Sequence, residues 1–438
     1  MTSKRDSEIL TRVGPGTAMG ELMRQFWIPA AKSEELVADG DPMRLMLLGE
    51  KLIAFRDTSG RVGVFDHHCP HRCASLFFGR NEENGIRCVY HGWKYDVDGN
   101  CVDLTNVPPH QDFKHKVNAK AYKAIERNGL IWVFMGNQEN APPLPAFEAL
   151  TEPEDEVSIT FIQRECNYLQ ALEGDVDTSH LSFLHFGKVG QGVLPKDDPH
   201  RHVIVNKAPD YIVQGTHYGV MYGAYRPAED GAGVSWRIAH FLAPFWTMPP
   251  IGHFETNMMA RAWVPMDDET TMFVGVVKKG HGPPKRLMGT LDQNNSVEFS
   301  DILPATTDWH GRFRSASNIG NDFLIDREAQ RTESFSGIKG IHTQDLAVTE
   351  SMGRITDHSW EHLAPSDHMI AETRKFLVRA ARAYQKDGSL PASAAEPSLT
   401  ARERGGNYVE PEGADWMKFY RARVASISQA AQKADAAE

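Results

Sequence analysis

Residues 69–91 read CPHRCASLFFGRNEENGIRCVYH. Cys69-Pro-His71 opens the stretch and Cys88-Val-Tyr-His91 closes it, with sixteen residues between the two figures. The chain of 438 residues has only five cysteines, so two of them beside histidines form a pattern. A thiolate and an imidazole in each of two short loops make a set of four metal ligands. The flanking text places those loops at the ends of strands. RLMLLGEKLIAFRDTSGRVGVFDHHC, residues 44–69, consists of apolar runs broken at Gly49-Glu50 and at Thr58-Ser59-Gly60, as in consecutive hairpins. NGLIWVFMG, residues 128–136, ends the region with another short buried run.

Two occupants suit such a ligand set. A Cys2His2 group fits structural zinc, but zinc fingers pair Cys with Cys and His with His on separate elements. Here each loop supplies one of each. A Rieske [2Fe-2S] cluster needs that division, because one iron is held by two thiolates and the other by two imidazoles. The reading is therefore a cluster on Cys69, His71, Cys88 and His91. Cys73 makes CPHRC look like C-x-x-x-C, yet the four ligand places are filled, and it reads as a small buried residue.

Composition bounds the rest. With 41% hydrophobic and 24% charged residues the chain is an ordinary globular sequence of two or three domains. No apolar run approaches the roughly 18 residues of a membrane helix. The first residues, MTSKRDSEILTRVG, contain no signal-like apolar stretch, so the expected location is the cytoplasm. A net charge of -11 argues against nucleic acid and anionic membranes as partners. Five cysteines (69, 73, 88, 101 and 166) fit a reducing compartment. The expected organisation is a helical segment at 1–25, a cluster domain at 26–140, a larger domain at 150–390 and an extension at 391–438. APPLPAFEAL, residues 141–150, has three prolines in four positions and reads as a linker near 137–152. Residues 155–280 mix a helix-like stretch with strands such as TMFVGVVKK, and 325–386 look mostly helical. The tail after 386 reads as loosely determined.

A cluster of this kind carries single electrons and makes no bonds, so the residues beyond 140 need their own account. EGDVDTSHLSFLHF, residues 173–186, holds His180 and His185 behind Asp175 and Asp177. Two histidines and one carboxylate on one face, with open positions opposite, are the usual ligands of O2-activating non-haem iron(II). On a regular α-helix, positions five apart diverge by about 140°. Joint ligation thus predicts a helix break or a π-type bulge between His180 and His185. The carboxylate comes from elsewhere, with Asp326, Asp345, Asp357 and Asp367 as candidates.

Together with the stretches above, RVGPGTAMGELMRQFWIPA (12–30), LEGDVDTSHLSFLHFG (172–187), WVPMDDE (263–269) and QDLAVTESMG (344–353) resemble the oxygenase (alpha) subunit of Rieske non-haem iron ring-hydroxylating oxygenases, in the phthalate dioxygenase branch. The resemblance spans nearly the whole chain. It implies an α+β fold, with an N-terminal Rieske β-sandwich domain and a C-terminal catalytic domain in which a curved antiparallel sheet wraps a long helix. It implies a mononuclear Fe(II) beside the [2Fe-2S] cluster, a homotrimer or stacked-trimer hexamer, and electrons from NADH through a separate flavin and iron-sulfur reductase. It also implies Asp345 as the third iron ligand, in a Q-D-x-A-x-x-E setting 160 residues after His185. Asp177 would accept a hydrogen bond from His180 and from His71 or His91 of a neighbouring subunit.

The implied reaction is cis-dihydroxylation of an aromatic acid of phthalate or benzoate type. Monooxygenation, such as O-demethylation, is the alternative on the same machinery, and a non-catalytic electron carrier or zinc-stabilised binding protein is the alternative of another class. The stretch THYGVMYGAYRPAEDGAGVSWRIAHFLAPFWTMPP, residues 216–250, would line an apolar, aromatic pocket, although Trp236, Phe241, Phe245 and Trp246 read as core. A carboxylate on the substrate calls for bidentate arginine, with Arg237 first and Arg226 second.

Overall fold

Apolar runs separated by turn glycines fold as the hairpins they suggest. Gly49 and Gly60 take left-handed φ values of 74° and 87°, which a residue with a Cβ adopts only at a cost. The strands so connected, Met43–Leu47, Glu50–Arg56 and Val62–Asp66, join Ala121–Arg127, Leu130–Phe134 and Trp27–Lys32 in a six-stranded antiparallel sheet. A smaller sheet of Arg80–Asn81, Ile86–Arg87, Trp93–Tyr95 and Cys101–Leu104 stands against it and frames the two Cys/His loops. Two short helices, Lys4–Thr11 and Ala18–Met23, precede both sheets. The computed structural model describes residues 2–187, 194, 198, 200–231, 233–281, 301–413 and 415–435.

The larger half is built on an eight-stranded antiparallel sheet. Its strand Val234–Leu242 pairs with Gly219–Pro227 on one side, and with both Trp246–Met248 and Gly406–Glu410 on the other. Side chains alternate along this strand with period two. Ala239 and Phe241 enter the main core, whereas Trp236 and Ile238 enter a second core with Tyr408, Trp416 and Tyr420. Arg237 shares the parity of Ala239 and Phe241. The helix His368–Asp387 buries Met369, Thr373, Leu377, Val378 and Ala381, spaced as one helical face, against the strands Asp210–Gly215 and Gly219–Pro227. No helix among the described residues is long and apolar enough to cross a membrane.

One core runs through both halves, from Leu10 and Trp132 to Trp246 and Ala394. The proline-rich connection is packed into it. Trp27 donates its indole N–H to the Pro142 carbonyl at 2.6 Å, and the Phe147 ring meets Trp246 at 5.0 Å.

Two expectations need correction. The tail is ordered over most of its length: Gly406–Glu410 adds to the large sheet, and the helix Trp416–Asp435 lays Trp416 and Tyr420 over the sheet's outer face. Its Ala/Ser-rich composition hid a strand whose partner lies about 170 residues away in sequence, a pairing no local pattern reveals. Cys73 is exposed, not buried. It occupies a left-handed position, φ 57°, at the end of the tight turn that begins at Cys69, and its side chain points outward.

Candidate functional site

The two loops of the small sheet have the same backbone plan. Cys73 donates its N–H to the Cys69 carbonyl at 2.9 Å, and Gly92 donates to the Cys88 carbonyl at 2.9 Å. Cys69 and Cys88 donate to the carbonyls of Ala74 and Trp93, each at 2.8 Å. Each turn closes on a residue of positive φ, Cys73 or Gly92. Cys69 and Cys88 are both buried, and the His71 and His91 rings meet at 4.4 Å in an edge-to-face pair. Burial pushes the Cys69 thiol up, so it would stay protonated without a metal to stabilise the thiolate. Nδ1 of His91 is buried without a hydrogen-bond partner among the described residues. Two buried thiols and two half-exposed imidazoles, one with an orphaned nitrogen, fit a Rieske cluster.

The helix Tyr168–Val176 ends at Asp177, before the first histidine. His180–Ser182 forms a single 3-10 turn, and irregular turns carry the chain to His185. The break comes earlier than the expected position between the two histidines: the α-helix stops at Val176, so neither histidine lies on it and no regular α-helix runs through 180–185. Nε2 of His180 and Nε2 of His185 lie 3.2 Å apart. Oδ1 of Asp345, on the helix Ile341–Ser351, lies 3.2 Å from the latter and 3.6 Å from the former. Ligands about 2.1 Å from one ion at tetrahedral or octahedral angles stand roughly 3.0–3.4 Å apart. The two 3.2 Å separations fall in that range and the 3.6 Å one lies just beyond it, so the three atoms could hold one ion. Burial pushes the Asp345 carboxyl up, but His185, His180 and Arg164 together hold it well below the usual carboxylate range. The other candidates are elsewhere: Asp326 caps the helix Arg327–Thr332, Asp357 bonds Ser359, and Asp367 accepts from the Ala364 N–H.

A cavity opens beside these three residues. Leu181, Phe186, Pro250, Ile251 and Ile341 give it apolar walls, and Arg237, Arg261, His200 and Asp175 supply polar groups. Among the described residues of the stretch 216–250, only Arg237, Pro249 and Pro250 reach it. Trp236, Phe241, Phe245 and Trp246 are core, as they read. Arg237 donates to Oγ1 of Thr178 at 2.6 Å and to Oδ1 of Asn407 at 2.8 Å, both neutral groups. Arg226, a diagonal neighbour of Arg237 on the same sheet face, does not line the cavity. It is buried, and none of its three guanidinium nitrogens has a partner among the described residues. Burial pulls both guanidinium groups down to about 10.

Residues 26–119 match the family described as Rieske [2Fe-2S] domain, and residues 133–437 match the one described as LigXa C-terminal domain like. Over 98% of its length the chain is 46% identical to the 3-chlorobenzoate-3,4-dioxygenase oxygenase subunit of Comamonas testosteroni, all of which is covered. It is 35% identical to the phthalate 4,5-dioxygenase oxygenase subunit of Pseudomonas putida, over 97% of this chain and 95% of that one. The chain belongs to the Rieske oxygenases. It is their oxygenase (alpha) subunit, an enzyme with a Rieske cluster and a mononuclear non-haem iron, which works with an electron-supplying partner. Among solved structures, dicamba monooxygenase bound to 3,6-dichlorosalicylic acid shares the fold, with a TM-score of 0.55 at 17% identity over 83% of this chain and 99% of that one.

For a Rieske oxygenase the surroundings of the histidines matter as much as the ligand atoms. Asp177 places Oδ2 3.4 Å from Nδ1 of His180, while its Oδ1 accepts from the Ser179 N–H at 2.7 Å and hydroxyl at 2.8 Å. Burial pushes the Asp177 carboxyl up, and His180 and Ser179 more than offset this, so it stays ionised. Sequence reasoning missed several residues in and around the cavity. Gln344 faces His185, and the Q-D pair beside Asp345 was a signal for it. Arg261, paired with Asp175, and His200, paired with Asp198 at 3.1 Å, had no local signal. Asn407 comes from the misread tail.

Proposed function

We propose that this oxygenase subunit cis-dihydroxylates an aromatic acid of benzoate or phthalate type. Cys69, Cys88, His71 and His91 would hold the [2Fe-2S] cluster, and His180, His185 and Asp345 the mononuclear Fe(II). When bound, these groups supply one-electron transfer and O2 activation, respectively. The chain's own residues do the rest. Apolar walls desolvate a flat ring beside the three ligands, and Arg237 binds its carboxylate, with Arg226 behind it on the same strand pair. The observation that carries this reading is the pair of buried arginines with only neutral partners or none among the described residues. An uncompensated buried charge costs several kcal/mol, which an anionic ligand offsets. The relatives named for chlorobenzoate and phthalate support the same class.

Asp177 would accept from Nδ1 of His180 and from His71 or His91 of an adjacent subunit, a short path for electrons between metal sites. Turnover would then require a homotrimer or stacked-trimer hexamer, fed by a separate NADH-dependent flavin and iron-sulfur reductase in the cytoplasm. The test supplies purified protein and reductase with NADH, 18O2 and a panel of aromatic acids. A cis-diol carrying both labelled atoms is the expected product; a phenol with one label, or an unlabelled demethylated arene with formaldehyde released, would mean monooxygenation.

A further inference from the structure

Two aromatic rings lead from the surface to a proposed cluster ligand. The Trp93 indole lies parallel to the His71 ring, 4.1 Å between centroids at 9°. It also meets Phe113, at 5.7 Å and 74°. Trp93 is buried and fixed, because Nε1 donates to Oδ1 of Asn106 at 2.7 Å. Phe113 is 37% exposed, and every residue from Pro108 to Lys116 is exposed. Val102, on the strand packed against Lys114–Lys116, is 42% exposed. Around Phe113 stand His110, Lys114, His115 and Lys116 with two acids: Asp112, which Lys114 pairs at 2.8 Å, and Asp103, which Arg87 pairs at 2.7 Å and whose charge also acts on Lys114. On a chain of net charge -11 this is a local reversal of sign.

An apolar centre with a charged rim is the anatomy of a transient protein interface, and the rim's sign selects the partner. We propose that the loop 108–116 is the docking surface for the protein that reduces the cluster, and that this donor rings its one-electron centre with carboxylates. The proposal rests on Cys69, His71, Cys88 and His91 being the cluster ligands. At each encounter the donor centre loses one electron and the [2Fe-2S] cluster gains it, with no bond made or broken. Reaching the cluster through Phe113 and Trp93 leaves the outward edges of His71 and His91 free for Asp177 of the neighbouring subunit. Electrons would enter and leave by different sides.

The test uses the full-length, cluster-loaded protein with an acidic plant-type [2Fe-2S] ferredoxin, photochemically reduced, as the probe. Cluster reduction is followed by stopped-flow absorbance, and complex formation with the oxidised probe by calorimetry. For the wild type we expect tight binding and fast reduction at low salt, both falling steeply as salt rises. The Lys114→Glu/Lys116→Glu variant should be reduced at least ten-fold more slowly at low salt, with little salt dependence and weakened binding. Phe113→Ala should slow reduction while keeping the salt dependence. Dithionite, which needs no docking, should reduce all three proteins alike and give the same rhombic EPR signal. If the double variant binds the probe and is reduced at the wild-type rate and salt dependence, the docking surface lies elsewhere. If the wild type itself gives no rhombic signal with dithionite, the ligand reading fails instead.

Discussion

Oε1 of Gln344 lies 2.7 Å from Nδ1 of His185, and the same amide donates through Nε2 to the Ile338 carbonyl at 2.8 Å. The second bond fixes which end of the amide faces the histidine. An oxygen there requires Nδ1 to carry the proton, so the lone pair of Nε2 points at His180 and Asp345. Partners of this kind orient metal-binding imidazoles, and their loss costs about 10- to 100-fold in metal affinity. Gln344→Leu should therefore release mononuclear iron at chelator concentrations that leave the wild type loaded, with the Rieske EPR signal unchanged. Gln344→Glu, which keeps an acceptor, should retain the iron.

Asp177→Asn keeps the size of the side chain and weakens the acceptor facing His180. Both metal centres should stay bound and the cluster should still be reduced, while product formation falls by orders of magnitude. Single-turnover product yield with a pre-reduced cluster separates this outcome from iron loss. Near-normal turnover, or loss of mononuclear iron alone, would refute the bridging role.

Arg237→Ala should raise the apparent KM for the aromatic acid on the order of 10- to 100-fold, the weight of a hydrogen bond to a charged group. Uncoupled O2 uptake should change far less. Arg226 gives a sharper contrast. If it helps hold the substrate's charge, Arg226→Met raises KM too; if it holds nothing, removing an unpaired buried cation stabilises the fold and leaves KM alone. Steady-state kinetics and a thermal melt on the same preparation decide between them.

Away from the site, Arg374 clamps Glu173 and Glu361, and His358 lies 2.8 Å from Glu361. Burial pushes the Glu361 carboxyl up, but His358 and Arg374 pull it down further, from 4.5 to about 2. Between these values the unfolded chain binds a proton that the folded chain refuses. The contribution is thus complete above about pH 4.5 and is lost as pH falls toward 2, on the order of 3 kcal/mol in all. In urea titrations, the gap in stability between wild type and Glu361→Gln should narrow across that window.

The parts legible in the sequence were those written over short distances. Cys69 and His71, like Cys88 and His91, lie close enough in sequence to fix their own turns, and the His180–His185 spacing argued against a regular α-helix through both, although the helix ends earlier than expected, at Val176. Asp345 was readable only through the motif around it. Arg261 and His200 were not readable, because strand register and tertiary contacts bring them to the cavity. Cys73 misled because its burial was inferred from residue type, while a left-handed turn position decides it. Asn407 was hidden in the tail, whose strand makes sense only beside Val234–Leu242.

The central claim is that four residues of one domain hold a Rieske cluster and three of the other hold a separate iron. Iron and sulfide analysis with EPR of the dithionite-reduced protein, on wild type and Asp345→Ala in parallel, tests it most directly. The wild type should be red-brown, with about three irons and two labile sulfides per chain and a rhombic signal. Asp345→Ala should keep the colour, the sulfide and the signal, lose about one iron, and form no product. A colourless protein containing zinc, or an Asp345→Ala variant that keeps its full iron and activity, would contradict the account.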